Sequence, residues 1–199
     1  MLPSMIYLNG PAGSGKTTLA NLLQTAYPSV AQIQFPLPLW EIADSILHQS
    51  GQLKDTDEPF DFASQDIKAS IIEGSGPPPT TWRDFLIEQG YLLRKHFGPD
   101  ILSRIAAQSS KTLFMQGIQT IIYPNVRTME DLTTLIPLAP KREQVLIRLE
   151  REGKTWDGDL GGYLDTVPFL TITLSNNSTP EELLKTALHL LEEDPSYDR

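Results

Sequence analysis

The chain has 199 residues, enough for one domain with a sizeable core, and its 40% hydrophobic and 21% charged content is that of an ordinary globular protein. It contains no cysteine, which excludes disulfides, thiolate metal sites and cysteine nucleophiles. The net charge of −9 argues against a nucleic-acid polymer as partner, and the chain shows neither a bilayer-length apolar run nor a signal-peptide pattern, so a cytoplasmic protein with no membrane partner is expected.

The apolar run Met5-Ile6-Tyr7-Leu8 predicts a first strand over residues 5–9. Residues Gly10-Pro11-Ala12-Gly13-Ser14-Gly15-Lys16-Thr17 then complete the pattern G-x-x-x-x-G-K-[ST], and helical spacing follows from Gly15 to Ala26. Strand, glycine-rich loop and helix are the context in which this motif cradles phosphate. The glycines let backbone N–H groups turn inward, and the helix start adds positive potential. Gly10, Ala12, Gly13, Ser14, Gly15, Lys16, Thr17 and Thr18 are therefore the candidate phosphate-binding residues for ATP. Lys16 is placed to reach the β- and γ-phosphates, and the Thr17 hydroxyl to ligate Mg²⁺.

A second short strand is predicted over residues 30–35, and Pro36-Leu37-Pro38 turns the chain into a helix over 39–49. Residues 51–59 read as a polar surface loop, and 61–73 as a helix. The breaker Gly74-Ser75-Gly76-Pro77-Pro78-Pro79 precedes a helix capped by Thr80 or Thr81. After Gly98-Pro99, Asp100 opens another helix running to 114. Residues 119–123, 143–149 and 169–174 read as strands. Pro180 stands at the favoured first position of a last helix, and residues 192–199 form a frayed tail.

Strands alternating with helices predict an α/β, three-layer P-loop NTPase fold of about five mostly parallel strands with helices on both faces. The binding crevice should lie at the carboxyl ends of the strands. One domain over 1–199 is expected, with a helical substrate-binding insertion at about 39–115 and a lid at about 150–166. His48, His96 and His189 share no metal-ligand spacing and read as helix-surface residues.

Several segments resemble the bacteriophage-type deoxynucleoside monophosphate kinases, a branch of the P-loop nucleoside monophosphate kinases. Besides the phosphate loop, these are Thr81-Trp82-Arg83-Asp84-Phe85-Leu86 with Gln89-Gly90, and Phe97-Gly98-Pro99-Asp100. Asn125-Val126-Arg127, residues 147–153 from Ile147-Arg148 to Gly153, and Asn176-Asn177-Ser178-Thr179-Pro180 complete the set. The chain departs from the family in three places. Phe35-Pro36-Leu37-Pro38-Leu39-Trp40 lacks the family's Asp and Lys, Asn125 replaces an Asp, and Trp156-Asp157-Gly158-Asp159 stands where the family has a His-x-Ser-Glu segment.

The resemblance implies transfer of the γ-phosphoryl group of ATP to a (deoxy)nucleoside monophosphate for DNA precursor synthesis, with Mg²⁺. It also implies small-molecule nucleotide partners, compatibility with a homodimer, and the host cytoplasm as location for a phage protein. An acceptor phosphate is already anionic, so the reaction needs positioning and charge neutralisation more than a base. Lys16, Arg83, Arg127 and Arg151 are accordingly the catalytic candidates, Arg151 as the lid arginine of a cluster with Arg142, Arg148 and Lys154. Phe35, Trp40, Arg83, Gln89, Arg104, Asn125 and Arg127 are the substrate-side candidates, and Asn177 is assigned to the adenine side. Arg94 flanks the same helix break as Arg104, Trp82 and Tyr91 are alternative stacking residues, and Asp157, Asp159 and Asp165 are options for water-mediated magnesium contacts. With both charges lost from the 35–40 stretch, base edges would be read by neutral groups such as Gln65, Gln89 and Asn125.

Two other readings use the same loop. A kinase phosphorylating a hydroxyl would need a carboxylate base such as Asp66, Asp84 or Asp100. A nucleotide-dependent switch is disfavoured by the lack of an Asn-Lys-x-Asp guanine reader, with Asp159–Gly162 the only late Asp-x-x-Gly.

Overall fold

Five short apolar segments pair into one sheet in the order β2-β3-β1-β4-β5, where β1 is Met5–Asn9, β2 Val30–Gln32, β3 Thr120–Tyr123, β4 Gln144–Glu150 and β5 Leu170–Ser175. The structure is a computed structural model and describes residues 2–50, 65–75, 78–157 and 162–193. Every pairing is parallel; Met5 of β1 stands opposite Ile121 of β3 on one side and Gln144 of β4 on the other. A strand with neighbours on both edges and helices over both faces has no solvated side, which is why β1 reads as a continuous apolar run and not as an alternation.

The helices are α1 (Lys16–Ala26), α2 (Leu37–Gln49), α3 (Gln65–Ala69), α4 (Trp82–Phe97), α5 (Ile101–Met115), α6 (Met129–Thr133) and α7 (Pro180–Glu193). Alternate residues of β1 serve opposite layers, as the two-residue strand period requires. Ile6 and Leu8 join Leu19 and Leu23 of α1 and Leu183, Ala187 and Leu191 of α7 in one buried cluster. Tyr7 faces the other way and stacks on Tyr123, whose hydroxyl is 2.6 Å from Ser110 Oγ of α5. The result is the α/β, three-layer arrangement expected of the sequence. Burying a leucine of this kind contributes roughly 1.5–3 kcal/mol relative to exposure.

The chain divides into two compact units, Met1–Phe35 with Ser103–Arg199, and Pro36–Leu102. The first holds the sheet, and the second packs Leu39, Ala43 and Leu47 of α2 against Trp82 and Leu86 of α4.

Some boundaries differ from those read in the sequence. The second strand stops at Gln32, although Ile33 still donates to the Ile122 carbonyl at 2.9 Å. Helix α2 starts at Leu37, because Pro38 falls in the first turn, where its missing N–H removes no intrahelical bond. Within the expected 61–73 helix, only Gln65–Ala69 is helical among the described residues. Ile71 pairs antiparallel with Thr81, and Trp82 N donates to Ser70 O at 3.1 Å, so this stretch is drawn out of helix by the start of α4. Helix α6 and two 3-10 turns, Ile136–Leu138 and Lys141–Glu143, were not read at all. The expected loop at 51–59, the helix start at 61–64 and the tail from 194 lie outside the described residues.

Candidate active site

The carboxyl end of β1 delivers the chain straight into the glycine loop. Gly10 is buried there: a Cβ on it would stand 2.5 Å from the Leu149 carbonyl oxygen and 2.7 Å from Ser14 Oγ, so no larger residue fits. Gly15 precedes α1 with φ 101, a left-handed conformation that L side chains rarely adopt. Helix α1 has no side-chain cap and no acid in its first turn, which leaves its first N–H groups to an external acceptor.

Lys16 Nζ donates to the carbonyls of Gly10 at 2.7 Å and Pro11 at 2.8 Å, placing the ammonium inside the loop. Arg151, just beyond β4, donates from Nη1 to the Gly13 carbonyl at 3.4 Å. The Lys154 side chain lies beside the same glycine, its Nζ 3.5 Å from where a Cβ would stand. Three cations thus meet at one loop of an otherwise acidic chain. Ser14 adds a hydroxyl that is fully buried and has no hydrogen-bond partner among the described residues. Buried hydroxyls are normally satisfied, so this one suits an incoming acceptor or donor atom. Thr17 and Thr18 are exposed at the start of α1.

Two asparagines to which the sequence assigned no role tie the crevice together, Asn176 at the phosphate loop and Asn9 at the loops beside it. Asn176 is 6% exposed, and its Nδ2 donates to Ser14 O at 2.8 Å while its own N–H donates to Glu150 O at 2.7 Å. Asn9 is buried at the last position of β1 and binds the loops after β3 and β4. The available signal was a polar residue abutting an apolar strand at the crevice edge. Asn177, expected on the adenine side, accepts from Glu152 N at 2.8 Å and so ties the turn after β5 to the turn after β4.

At the end of β3, Asn125 Nδ2 donates to Gln34 Oε1 at 3.5 Å. Arg127 is half-buried, its backbone N–H donating to Asp131 Oδ2 at 3.0 Å. Asp131 closes a capping box with Thr128 that starts α6, which fixes where Arg127 leaves the sheet. Arg148 is 21% exposed; its Nη2 donates to the Leu164 carbonyl and lies 3.8 Å from Asp165 Oδ1. Trp156 and Tyr163 meet edge to face at 5.4 Å. Burial pushes the Tyr163 hydroxyl up, Glu150 adds to the shift and Arg148 opposes it. Asp157 accepts from Thr155 Oγ1 at 2.8 Å, and Asp159 lies outside the described residues.

Phe35 is 4% exposed and stacks on Tyr123, which makes its ring part of the core. Arg104 is exposed on α5. In the second unit, Trp40 packs against the α2–α4 core with Lys68 Nζ 5.6 Å from its ring centre. Arg83 is exposed in the first turn of α4 behind the Thr81–Asp84 capping box, and Gln89 is half-buried on the same helix. The Gln65 side chain lies outside the described residues. Among the described residues, no group of three or more His, Asp or Glu could hold a metal ion, and no helix is long and apolar enough to cross a membrane.

A parallel five-stranded sheet whose central strand ends in G-x-x-x-x-G-K-T, with cations gathered on that loop, defines a P-loop α/β fold. No family model matches the chain, and no curated protein matches its sequence. Among solved structures, it is similar to a sugar kinase from Janibacter sp. HTCC2649, determined without ligand, at 17% identity over 98% of each chain and a TM-score of 0.50. It is also similar to a candidate kinase from Chloroflexus aurantiacus, at 14% identity over 96% of this chain and 97% of that chain, with a TM-score of 0.47. The first likeness is one of fold.

Proposed function

We propose that this chain is an ATP-dependent kinase whose acceptor is a deoxynucleoside monophosphate, as the resemblance to the bacteriophage-type enzymes implies. The observation that carries the kinase reading is the convergence of Lys16, Arg151 and Lys154 on a glycine loop that ends at an uncapped helix. A triphosphate entering that loop replaces the Gly10 and Pro11 carbonyls as partners of the Lys16 ammonium. Lys16 and Arg151 then stand where negative charge grows on the phosphoryl group in flight, the kind of preorganised electrostatics that lowers such barriers. Mg²⁺ would be held by the Thr17 hydroxyl, nucleotide oxygens and water, a donor set this cation accepts, and would neutralise charge between the β- and γ-phosphates.

Asn125 weighs against a hydroxyl acceptor that would need a base at this position. The second residue beyond β3 is a neutral amide, hydrogen-bonded to another amide, Gln34. An amide can hold an acceptor but cannot take its proton, and a phosphate oxygen has none to give. Arg127, two residues on, supplies a bidentate cation for that phosphate. With neutral groups reading the base, discrimination should be weak, since strong rejection needs buried polar groups left unpaired by the wrong ligand. At least two bases should be accepted, a purine such as dGMP among them.

A hydroxyl acceptor is the second reading, and the likeness to a sugar kinase favours it. It requires a carboxylate base. Of the candidates Asp66, Asp84 and Asp100, Asp84 accepts from Thr81 Oγ1 at 2.7 Å in the capping box of α4. Measuring ADP formation from ATP and Mg²⁺ with a panel of deoxynucleoside monophosphates, nucleosides and sugars decides between them. Turnover with monophosphates is expected. Turnover confined to nucleosides or sugars would establish the second reading, and tight nucleotide binding without any acceptor would indicate a switch module.

A further inference from the structure

We infer that Asn9 is a positioning residue whose side-chain amide sets the Val126–Arg127 turn against the phosphate loop, an inference that rests on the kinase reading above for its effect on turnover. The four residues before Asn9 in β1 are apolar, and a buried amide at the end of such a strand is costly unless its polar atoms are all engaged. Here they are. Nδ2 donates to Val126 O at 2.9 Å and to Gly162 O at 3.2 Å, and Oδ1 accepts from Leu164 N at 3.3 Å. Both donors and the oxygen are spent on two separate loops. Aspartate lacks the donors and leucine lacks all three, so only an amide of this length satisfies the site.

Each loop is tied down a second time. Val126 N donates to Leu8 O at 3.3 Å, so β1 grips the turn by consecutive residues, and Asp131 holds the Arg127 N–H from the other side. The Leu164 carbonyl receives the Arg148 guanidinium, and Arg148 stands opposite Asn9 in the β1–β4 register. Asn9 is also bonded covalently to Gly10, the first residue of the phosphate loop. The Asn9 side chain is therefore the side-chain link, beside the Leu8 carbonyl, between the strand that enters the donor loop and the backbone that carries Arg127. The loop itself has independent supports in Asn176 and Lys16, so damage at Asn9 should fall on the acceptor side.

The test compares Asn9→Asp, Asn9→Ser and Arg127→Ala with the double variant Asn9→Asp/Arg127→Ala, using ATP, Mg²⁺ and dGMP. Asn9→Asp should lower kcat/KM for dGMP by on the order of 10²-fold, as misplacement by about 1 Å can do. Directly measured ADP affinity should change by no more than about twofold. The double variant should be no slower than the slower single variant beyond about twofold, because both act through one residue. Losses that multiply, or ADP affinity falling in step with dGMP use, would overturn the inference. Amide hydrogen exchange makes it independent of the kinase reading. Segments 126–131 and 162–165 should exchange faster in Asn9→Asp while residues 16–26 stay as in wild type; unchanged or uniformly faster exchange would overturn it. Should wild type turn over no monophosphate, the kinase reading fails and the exchange result still decides the role of Asn9. If Asn9→Asp does not fold, Asn9→Ser is read in the same measurements, since its hydroxyl cannot span two loops.

Discussion

The Lys16 ammonium is held at its own loop by two carbonyl acceptors, so its charge already lies beside the phosphate site before those partners are exchanged for phosphate oxygens. Replacing it with alanine removes the charge without touching a core contact. Lys16→Ala is expected to lower kcat by about 10²–10³-fold, the usual cost of one electrostatic donor, with the thermal midpoint unchanged. Steady-state kinetics alongside a thermal melt checks this; more than about a tenth of wild-type activity would contradict the assignment. At this scale the sequence was readable where a residue's role depends on its neighbours in the chain. Lys16 and Thr17 follow from the motif alone. Asn9 and Asn176 do not, because their partners lie 117 and 162 residues away and no local pattern announces them. Asn177 drew attention by position, and it bonds Glu152, a backbone group on the neighbouring turn.

Two helices begin with the same device, a threonine and an aspartate three residues apart exchanging hydrogen bonds, at Thr81–Asp84 and Thr128–Asp131. The first was legible, since a proline-rich breaker led into Thr81 and a long amphipathic run followed. The second was not: α6 has five residues, too few to show a helical period. Its Asp131 nevertheless also holds the Arg127 N–H. Thr128→Ala should therefore cost about 1 kcal/mol of stability, the usual worth of an N-cap, and raise KM for the acceptor while leaving ADP affinity alone. Denaturant unfolding and separate KM determinations for donor and acceptor check both halves. Strands β1, β3 and β4 were legible as largely buried apolar runs between turn residues, and β5 as an alternation of apolar residues with Thr and Ser. Their order was not, because a parallel neighbour is chosen by tertiary packing. The shortening of the 61–73 helix has the same origin: Ile71 and Thr81 pair across ten residues, and that pairing overrides helical spacing.

Across the whole sheet runs a stack of rings, Phe35 on Tyr123, Tyr123 on Tyr7 and Tyr7 on Phe169, with centroids 5.2 to 5.8 Å apart. Tyr7 donates to Gln144 Oε1 at 2.9 Å, and Gln144 Nε2 in turn reaches Ile136 O at 2.8 Å. Burial holds both tyrosine hydroxyls well above the usual phenol value; at Tyr7 its neighbour Tyr123 adds to the shift, and at Tyr123 the Ser110 hydrogen bond works against it. The folded chain thus keeps two protons that the unfolded chain releases near pH 10. This stabilisation is complete below that pH and is lost as pH rises above it, by up to about 1.4 kcal/mol per pH unit for each tyrosine. Urea unfolding from pH 8 to pH 11 should show the decline, and Tyr7→Phe should lessen its slope. An unchanged slope would mean that Tyr7 ionises as readily in the fold as out of it.

The central place of β1 has a consequence for how the chain is made. Its partners on either edge begin at Thr120 and Gln144, more than a hundred residues later in the chain. At roughly 5–20 residues per second, ribosomes leave that apolar strand with both edges bare for about 6–23 s before β3 emerges, and with one edge still bare until β4 follows at about 7–28 s. Nothing local can pair it meanwhile, because parallel neighbours need a crossover and both come late in the chain. The segment most deeply buried in the finished protein is therefore the one a nascent chain exposes longest. Crowded expression should tax this protein through that strand, before any residue of the phosphate loop has a partner to bind.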